Sequence, residues 1–442
     1  MRIGSGAGFS GDRLDAAATL VERGDLDFIA LECLAERTIA LAQLRRRNDP
    51  SAGYDPRLAR RLEPLLPMLR RQGVRLLSNL GAANPLGAGE AIVAIARRLG
   101  VPTRVAVVTG DDVLDLVDPD EPSLEGGLPL RSYGPLVSAN AYLGADALLP
   151  ALATGADVIV TGRVADPSLF VAPIAARYGI QLDDWDRLAA ATAVGHLLEC
   201  AGQLCGGYFA DPGCKDVPGL AELGFPFADV AEDGSAVLGK PPDTGGAITI
   251  ASATEQLLYE VTDPHGYVTP DVVADFSTIS LASRGTDRVA VQGARGRARP
   301  DRLKTSVGYL AGFVGEGEIG YAGRNALARA RLAADVVKQR LPSFRDLRID
   351  IIGSTSLHGR AFDAHERPYE VRLRVAARAE SAQAAALVGE EVEALYTNGP
   401  AGGGGVRTWV HEQIGIVSTM IARDRVRPRV TVVEGPGDAQ AA

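Results

Sequence analysis

Five side chains that can carry acid–base, cationic or thiol chemistry lie close together in this sequence. Arg163 and Asp166 follow a short apolar segment. His196, Glu199 and Cys200 come later, and their spacing puts all three on one face of a predicted helix. The ordinary pKa of histidine makes His196 the first choice for general acid–base chemistry, with Glu199 or Asp166 orienting it. The planar guanidinium of Arg163 suits a carboxylate or a phosphate.

Each of these residues also has an ordinary structural interpretation. Arg163 can simply pair with Asp166, and a buried His196 can satisfy a backbone carbonyl. His196, Glu199 and Cys200 offer nitrogen, oxygen and sulfur ligands to a metal, but structural zinc sites draw on two ligand pairs, and the sequence completes none here. We therefore predict a site without a metal, and the sequence leaves open whether these three residues bind one.

The elements that must position these residues alternate between apolar strands and amphipathic helices. The strands are predicted at residues 1–3, 27–32, 74–78, 104–108 and 157–161. Regular alternation of this kind favours a parallel sheet with helices on both faces. We therefore expect an α/β fold with a mostly parallel, Rossmann-like sheet, followed by a smaller α+β domain.

The pattern changes to short strands and fewer helices in the second half of the chain. The predicted bounds are 1–265 for the α/β domain that holds the site, 266–435 for the α+β domain and 436–442 for a disordered tail. A glycine run at 402–405 lies before a predicted helix. This run can be an anion-binding loop or a hinge, and the sequence does not decide between them.

Polar residues after the predicted strands are candidates for a ligand site, because loops that leave parallel strands open at one edge of a sheet. Glu32 is a further candidate for acid–base chemistry. The candidate substrate-binding residues are Asn79, Asn84, Asp111, Asn140, Thr161 and Lys240, together with Gly4, Gly6 and Gly8 after the first strand. That glycine loop can cradle a phosphate or can be a tight turn without a ligand.

One pocket is expected to collect the principal candidates. We predict that it contains Glu32, Asn79, Asp111, Arg163 and His196. The first four follow predicted strands and should meet at one edge of the sheet. His196 lies on a predicted helix, and the packing of that helix has to bring His196 to the same pocket.

Composition restricts the partners of this 442-residue chain. A net charge of −9 argues against a nucleic acid. The sequence starts without a secretory leader, and no apolar run is long enough to span a membrane. The four cysteines lack a repeated pairing pattern, so we expect reduced thiols and a cytoplasmic location. A homo-oligomer is the expectation for an enzyme of this size.

Several long motifs resemble one known family. They are ANAYLGA, TGRVADPSL, GHLLECAGQLCGGYF, KPPDTGG, EQLLYE, TPDVVADF and LYTNGPAGGGG. Together they resemble the acyclic terpene utilisation (AtuA) family over nearly the whole chain. The resemblance implies a bacterial role in the breakdown of citronellol-type terpenoids and branched acids through coenzyme A thioesters. It implies no particular reaction and no catalytic residues.

The site residues and the family resemblance together lead to the hypothesis that the protein is an enzyme of the lyase or hydratase type. Its substrate would be an acyl-CoA thioester or a related small, anionic carboxylic acid, with coenzyme A as part of the substrate and no separate cofactor. The alternative is a non-catalytic subunit that binds acyl-CoA or serves as a scaffold in a catabolic enzyme assembly. The sequence shows no strong nucleophile or cofactor motif, so both readings stay open.

Overall fold

Short apolar and β-branched segments form the strands of this protein, and longer amphipathic segments form its helices. The computed structural model describes residues 1–359 and 368–434. The predicted tail at 436–442 lies outside the described residues. Within them, none of the helices has both the length and the apolar character that a membrane crossing requires.

The strands, in chain order, are β1 (Arg2–Ala7), β2 (Phe28–Leu31), β3 (Arg75–Ser78), β4 (Val105–Thr109), β5 (Leu136–Ala141), β6 (Val158–Thr161), β7 (Phe227–Val230), β8 (Ala236–Gly239), β9 (Tyr267–Val268), β10 (Val273–Asp275), β11 (Ser280–Ser283), β12 (Val289–Gln292), β13 (Arg295–Arg297), β14 (Arg302–Ala322), β15 (Arg348–Ile352), β16 (Glu370–Ala379), β17 (Gly404–Ala422) and β18 (Arg429–Val433). The helices are α1 (Asp15–Arg23), α2 (Glu36–Asn48), α3 (Leu58–Gln72), α4 (Pro85–Arg98), α5 (Ala145–Ala153), α6 (Ser168–Tyr178), α7 (Trp185–Glu199), α8 (Ile250–Leu258), α9 (Ala326–Arg340), α10 (Ala382–Glu393) and α11 (Leu395–Asn398).

The five strands predicted to share one sheet do so. They lie in the order β1, β2, β3, β6, β4, and each is parallel with the next. Ile29 and Leu31 pack into one apolar cluster with α1, α3 and α4, while Ala30, which points the other way, is also fully buried. Helices α5 and α6 contact strands of the same sheet without joining that cluster. The sheet is therefore covered by helices on both faces, as in an α/β protein.

Antiparallel strands extend this sheet at both ends, so the whole sheet is mixed and not mostly parallel. Beyond β1 follow β7, β8, β12 and β11, and beyond β4 comes β18. The predicted second domain includes β18, but β18 pairs with β4, with Val433 opposite Val105. A strand at this edge satisfies backbone groups that β4 would otherwise leave unpaired. Short strands carry no sequence signal for such distant partners.

The chain forms two compact units. Unit 1 comprises residues 1–132, 136–308 and those from 416 onward, and unit 2 comprises residues 133–135 and 309–415. In unit 2, β14 and β15 both pair antiparallel with β16, and α9 and α10 share one apolar cluster with these strands. Two of the four unit boundaries, after residues 308 and 415, fall within the long strands β14 and β17. The predicted domains 1–265 and 266–435 stay predictions.

The glycine run at 402–405 leads into a strand, and the predicted helix after it is wrong. Strand β17 begins at Gly404. Gly402 and Gly405 have φ of +74° and +65°, a left-handed conformation that favours glycine. The run therefore makes the turn into β17.

Helix α7 carries two of the predicted site residues into the interior of unit 1. It begins after Asp184, whose carboxylate accepts a hydrogen bond from the backbone N–H of Arg187. From Ala191 to Glu199 every residue is buried. A Cβ on Gly195 would lie 2.7 Å from the carbonyl oxygen of Pro167, so glycine permits this close approach to the start of α6.

Replacing Ile29 by alanine should lower the free energy of unfolding by about 2–5 kcal/mol, because Ile29 is fully buried in the sheet core. Chemical denaturation monitored by circular dichroism measures this loss. The matched control is Leu86→Ala on α4, where the side chain is 46% exposed and the change should stay within about 0.5 kcal/mol. Equal losses in the two variants would contradict the position assigned to β2.

Candidate functional site

A cavity of about 980 Å³ lies in unit 1, beside the carboxyl ends of three parallel strands. Gly8 follows β1, Glu32 follows β2 and Arg163 follows β6, and all three line the cavity. This is the edge of the sheet at which a ligand site is expected. Small-molecule sites usually have volumes of about 300–1,000 Å³, so the cavity can hold one.

Arg163 places a buried positive charge in the cavity wall, with only 2% of its side chain exposed. The guanidinium lies over the ring of Tyr142, 4.0 Å from the ring centroid, and its Nη2 lies 3.2 Å from Oδ1 of Asp166. Burial alone would lower the pKa of Arg163, but the charge of Asp166 raises it above its ordinary value. Nε and Nη1 have no hydrogen-bond partner among the residues that the structure describes. Buried donors without partners indicate a place for water or a ligand.

Asp111 and Gly162 fix the backbone of Arg163. Oδ2 of Asp111 accepts hydrogen bonds from the backbone N–H of Arg163 at 2.8 Å and from Nδ2 of Asn140 at 2.9 Å. A Cβ on Gly162 would lie 2.5 Å from the Asp111 carboxylate, so this position requires a glycine. Burial raises the pKa of Asp111 to about 6. Asp111 and Asn140 thus support the cavity wall from behind.

Glu32 presents a carboxyl group that holds its proton near neutral pH. It is 6% exposed and lines the cavity. Burial and the charge of Asp166 raise the pKa of Glu32 to about 8, although Arg163 lowers it. Its Oε1 accepts hydrogen bonds from the backbone N–H of Leu34 at 2.7 Å and from Nδ2 of Asn79 at 2.9 Å. Asn79, which is fully buried, therefore orients Glu32.

Glu36, Tyr142 and Lys304 form a second polar group on the cavity wall that the predicted site lacks. The hydroxyl of Tyr142 donates to Oε1 of Glu36, and Nζ of Lys304 lies 3.1 Å from the same oxygen. Burial raises the pKa of Glu36, but Arg163, Tyr142 and Lys304 together lower it to about 2, so this carboxylate is ionised. The sequence offers two hints: Lys304 is one of four lysines in an arginine-rich chain, and Tyr142 lies in the motif ANAYLGA.

Asp166 and Glu199 line the cavity, whereas His196 lies behind the wall. His196 is 1% exposed, with Nδ1 2.8 Å from Oε1 of Glu199 and Nε2 3.2 Å from the carbonyl oxygen of Leu257. Its ring packs on Tyr267, with 5.0 Å between the ring centroids. Burial lowers the pKa of His196 to about 4 and raises the pKa of Glu199 well above its ordinary value. His196 itself therefore does not line the cavity, but it contacts two residues that do, Glu199 and Tyr267.

The exposed part of Asp166 faces the cavity, where the surrounding protein limits its solvation. One third of its side chain is exposed. Burial raises the pKa of Asp166, while the charge of Arg163 opposes this effect.

Of the five residues expected in one pocket, Glu32 and Arg163 line the cavity, and Asn79, Asp111 and His196 contact its wall residues from behind.

Three other candidate substrate-binding residues do not line the cavity: Asn84, Lys240 and Thr161. Oδ1 of Asn84 accepts a hydrogen bond from the backbone N–H of Gly87 at 3.1 Å and so caps α4. Nζ of Lys240 lies 3.2 Å from Oδ2 of Asp287, and neither residue lines the cavity. Thr161 is fully buried at the end of β6, and its Oγ1 has no hydrogen-bond partner within residues 1–359 and 368–434.

The glycine loop after β1 already holds a carboxylate. The backbone N–H of Gly8 donates to Oδ2 of Asp12 at 2.9 Å. A Cβ at Gly4 would lie 2.9 Å from the side chain of Leu20, and a Cβ at Gly6 would lie 2.5 Å from the side chain of a second leucine. Gly4 and Gly6 therefore serve packing in β1. A phosphate at Gly8 would have to displace Asp12.

Metal ligands are not grouped in the described part of the chain: no three histidine, cysteine, aspartate or glutamate side chains are placed to hold an ion. His196 and Glu199 are hydrogen-bonded to each other, so the two atoms that form this bond are not directed at a metal ion. Burial also raises the pKa of the Cys200 thiol, which opposes formation of the thiolate that binds metals.

Fold and site together define an α/β protein with a cavity built around a buried arginine and several carboxyl groups. The family model described as "Acyclic terpene utilisation family protein AtuA" matches residues 1–432, so the chain belongs to this family. No curated protein and no solved structure matches the chain significantly.

The raised pKa of Glu32 makes the effect of Glu32→Gln on stability depend on pH. The folded protein binds this proton more tightly than the unfolded chain between pH 4.5 and about 8. Wild-type stability should therefore fall relative to the variant as pH rises through this window, by at most about 1.4 kcal/mol per pH unit.

Urea denaturation at a series of pH values measures this difference. Glu90→Gln, at an exposed position on α4, is the matched control and should follow the wild type at every pH. Parallel curves for wild type and Glu32→Gln would show that Glu32 is ionised in the folded protein.

Proposed function

We propose that this protein is an enzyme of the lyase or hydratase type that acts on an acyl-CoA thioester or a related small carboxylic acid. The observation that carries the proposal is the buried Arg163 in the cavity wall, with two nitrogens lacking partners in the described chain. A cation in a closed site stabilises negative charge more strongly than one in water. It suits a carboxylate, or the oxygen of a thioester carbonyl that becomes negative during reaction.

Glu32 supplies the second requirement of such a reaction. Addition of water next to a thioester, or cleavage of a carbon–carbon bond there, passes through an enolate and needs a group that moves a proton. A carboxyl group with a pKa of about 8 holds its proton at neutral pH and can donate it. Arg163 and Glu32 line the same cavity, so charge stabilisation and proton donation can act on one ligand.

Exposed apolar side chains on the cavity wall support a ligand with an apolar portion. Phe9, Tyr208 and Val268 are 59%, 86% and 61% exposed, and all three line the cavity. Exposed aromatic and aliphatic groups gathered at one cavity are typical of a binding site. Arg13, also on the wall, donates to backbone carbonyls and forms no ion pair with a described carboxylate, so its charge is available to a phosphate.

Several finer expectations belong to the same proposal. The Rossmann-like character of the parallel strands, the cytoplasmic location, the homo-oligomeric state and the bacterial catabolic role all stay predictions. Membership of the AtuA family supports a role in terpenoid or branched-acid breakdown.

Arg163→Gln should weaken the binding of butyryl-CoA by about 10- to 100-fold, because it removes the charged hydrogen bonds that the Arg163 guanidinium would donate to this ligand in a buried site. Isothermal titration calorimetry measures the dissociation constant. Arg295→Gln is the matched control, since that arginine is 69% exposed and pairs with Asp186 away from the cavity. Lys304→Gln serves as a second wall variant if Arg163→Gln does not fold. Unchanged affinity in both wall variants would contradict this site.

Glu32→Gln separates an enzyme from a non-catalytic acyl-CoA-binding or scaffolding subunit. In an enzyme the variant should still bind butyryl-CoA within about threefold, while turnover falls by at least about 100-fold. Hydration or cleavage products are measured by mass spectrometry. A wild-type protein that binds acyl-CoAs but converts none of a panel of saturated, unsaturated and hydroxylated thioesters would support the binding subunit.

A further inference from the structure

The hydrogen bonds of His196 fix where its protons lie. The carbonyl oxygen of Leu257 can only accept, so the contact of 3.2 Å requires a proton on Nε2. A neutral imidazole carries one proton, and its Nδ1 is then an acceptor. Oε1 of Glu199, 2.8 Å from Nδ1, must therefore donate, which requires a protonated carboxyl group. The geometry thus places one proton between the two side chains.

A proton on Glu199 and a neutral His196 is the favoured form of this pair. The alternative is an imidazolium bonded to a carboxylate, which places two charges in the interior. Burial raises the pKa of Glu199 and lowers that of His196 to about 4, and both shifts favour the neutral form. Asp166 and Glu260 are the nearby acidic groups and Arg163 the nearby cation.

Packing holds the pair in one orientation. The ring of His196 lies 5.0 Å from that of Tyr267 and 5.6 Å from that of Phe276, measured between centroids. The backbone carbonyl of His196 also accepts a hydrogen bond from the side chain of Gln256. The imidazole therefore cannot turn to face the cavity without disrupting this cluster, whereas Glu199 already lines it.

We propose that Glu199 is the catalytic base of this site and that His196 is a positioning residue that takes up the displaced proton. A C–H or O–H bond of the ligand breaks, and its proton forms an O–H bond at Oε2, which has no partner in the part of the chain that the structure describes. The proton on Oε1 passes to Nδ1, and the electron pair stays on the ligand beside Arg163. The assignment rests on the proposed function, and it reverses the roles that the sequence suggests.

Nitrogen-15 NMR of histidine-labelled protein tests the protonation state directly. The chain has five histidines, and the signals that disappear in His196→Asn are those of His196. The expected result is a neutral, Nε2-protonated imidazole that does not titrate between roughly pH 5 and 8. An Nδ1-protonated tautomer or an imidazolium at His196 near pH 7 would overturn the proposal.

Solvent exchange tests the catalytic role. Wild-type protein should exchange the α-hydrogen of butyryl-CoA with D₂O, and Glu199→Gln should slow this by at least about 100-fold. The glutamine amide can still donate to Nδ1, so the NMR signature of His196 should survive in the same variant. Exchange that persists in Glu199→Gln would overturn the catalytic assignment while leaving the proposed function intact. Absence of exchange in wild type, with the predicted NMR signature present, would instead refute the thioester substrate.

Discussion

The buried charge of Arg163 is the constraint on which the rest of the site depends. A cation taken out of water costs several kcal/mol unless other groups stabilise it. Asp166 and the face of Tyr142 provide part of this stabilisation, 3.2 Å and 4.0 Å away. Burial and the negative charge of Asp166 raise the pKa of Glu32 and of Glu199, so these two carboxyl groups hold protons instead. A cavity that combines a fixed cation with neutral acids is suited to an anionic ligand.

The sheet determines where this charge lies. Arg163 follows the end of β6, and its backbone N–H is fixed by Asp111 from the loop after the neighbouring strand β4. Gly162 leaves room for that carboxylate. The position of the cation therefore follows from strand order and from backbone geometry.

The sequence predicts the parallel centre of the fold and five residues that line the cavity: Gly8, Glu32, Arg163, Asp166 and Glu199. Apolar runs ended by polar loops are local signals, and the edge at which such loops meet follows from strand direction. The place of β18 beside β4 depends on a contact between distant segments, which no local pattern records. The position of His196 behind Glu199 depends on which face of α7 meets its neighbours. Because every residue of α7 from Ala191 to Glu199 is buried, polar ones included, the sequence pattern could not show which face this is.

A crystal structure of the protein with butyryl-CoA tests the central claim most directly, since it locates the ligand without depending on any reaction. The thioester carbonyl oxygen should lie within hydrogen-bonding distance of the Arg163 guanidinium, with the phosphates of coenzyme A toward Arg13. Butyryl-CoA bound outside the cavity at a saturating concentration, with Arg163 still paired only to Asp166, would contradict it.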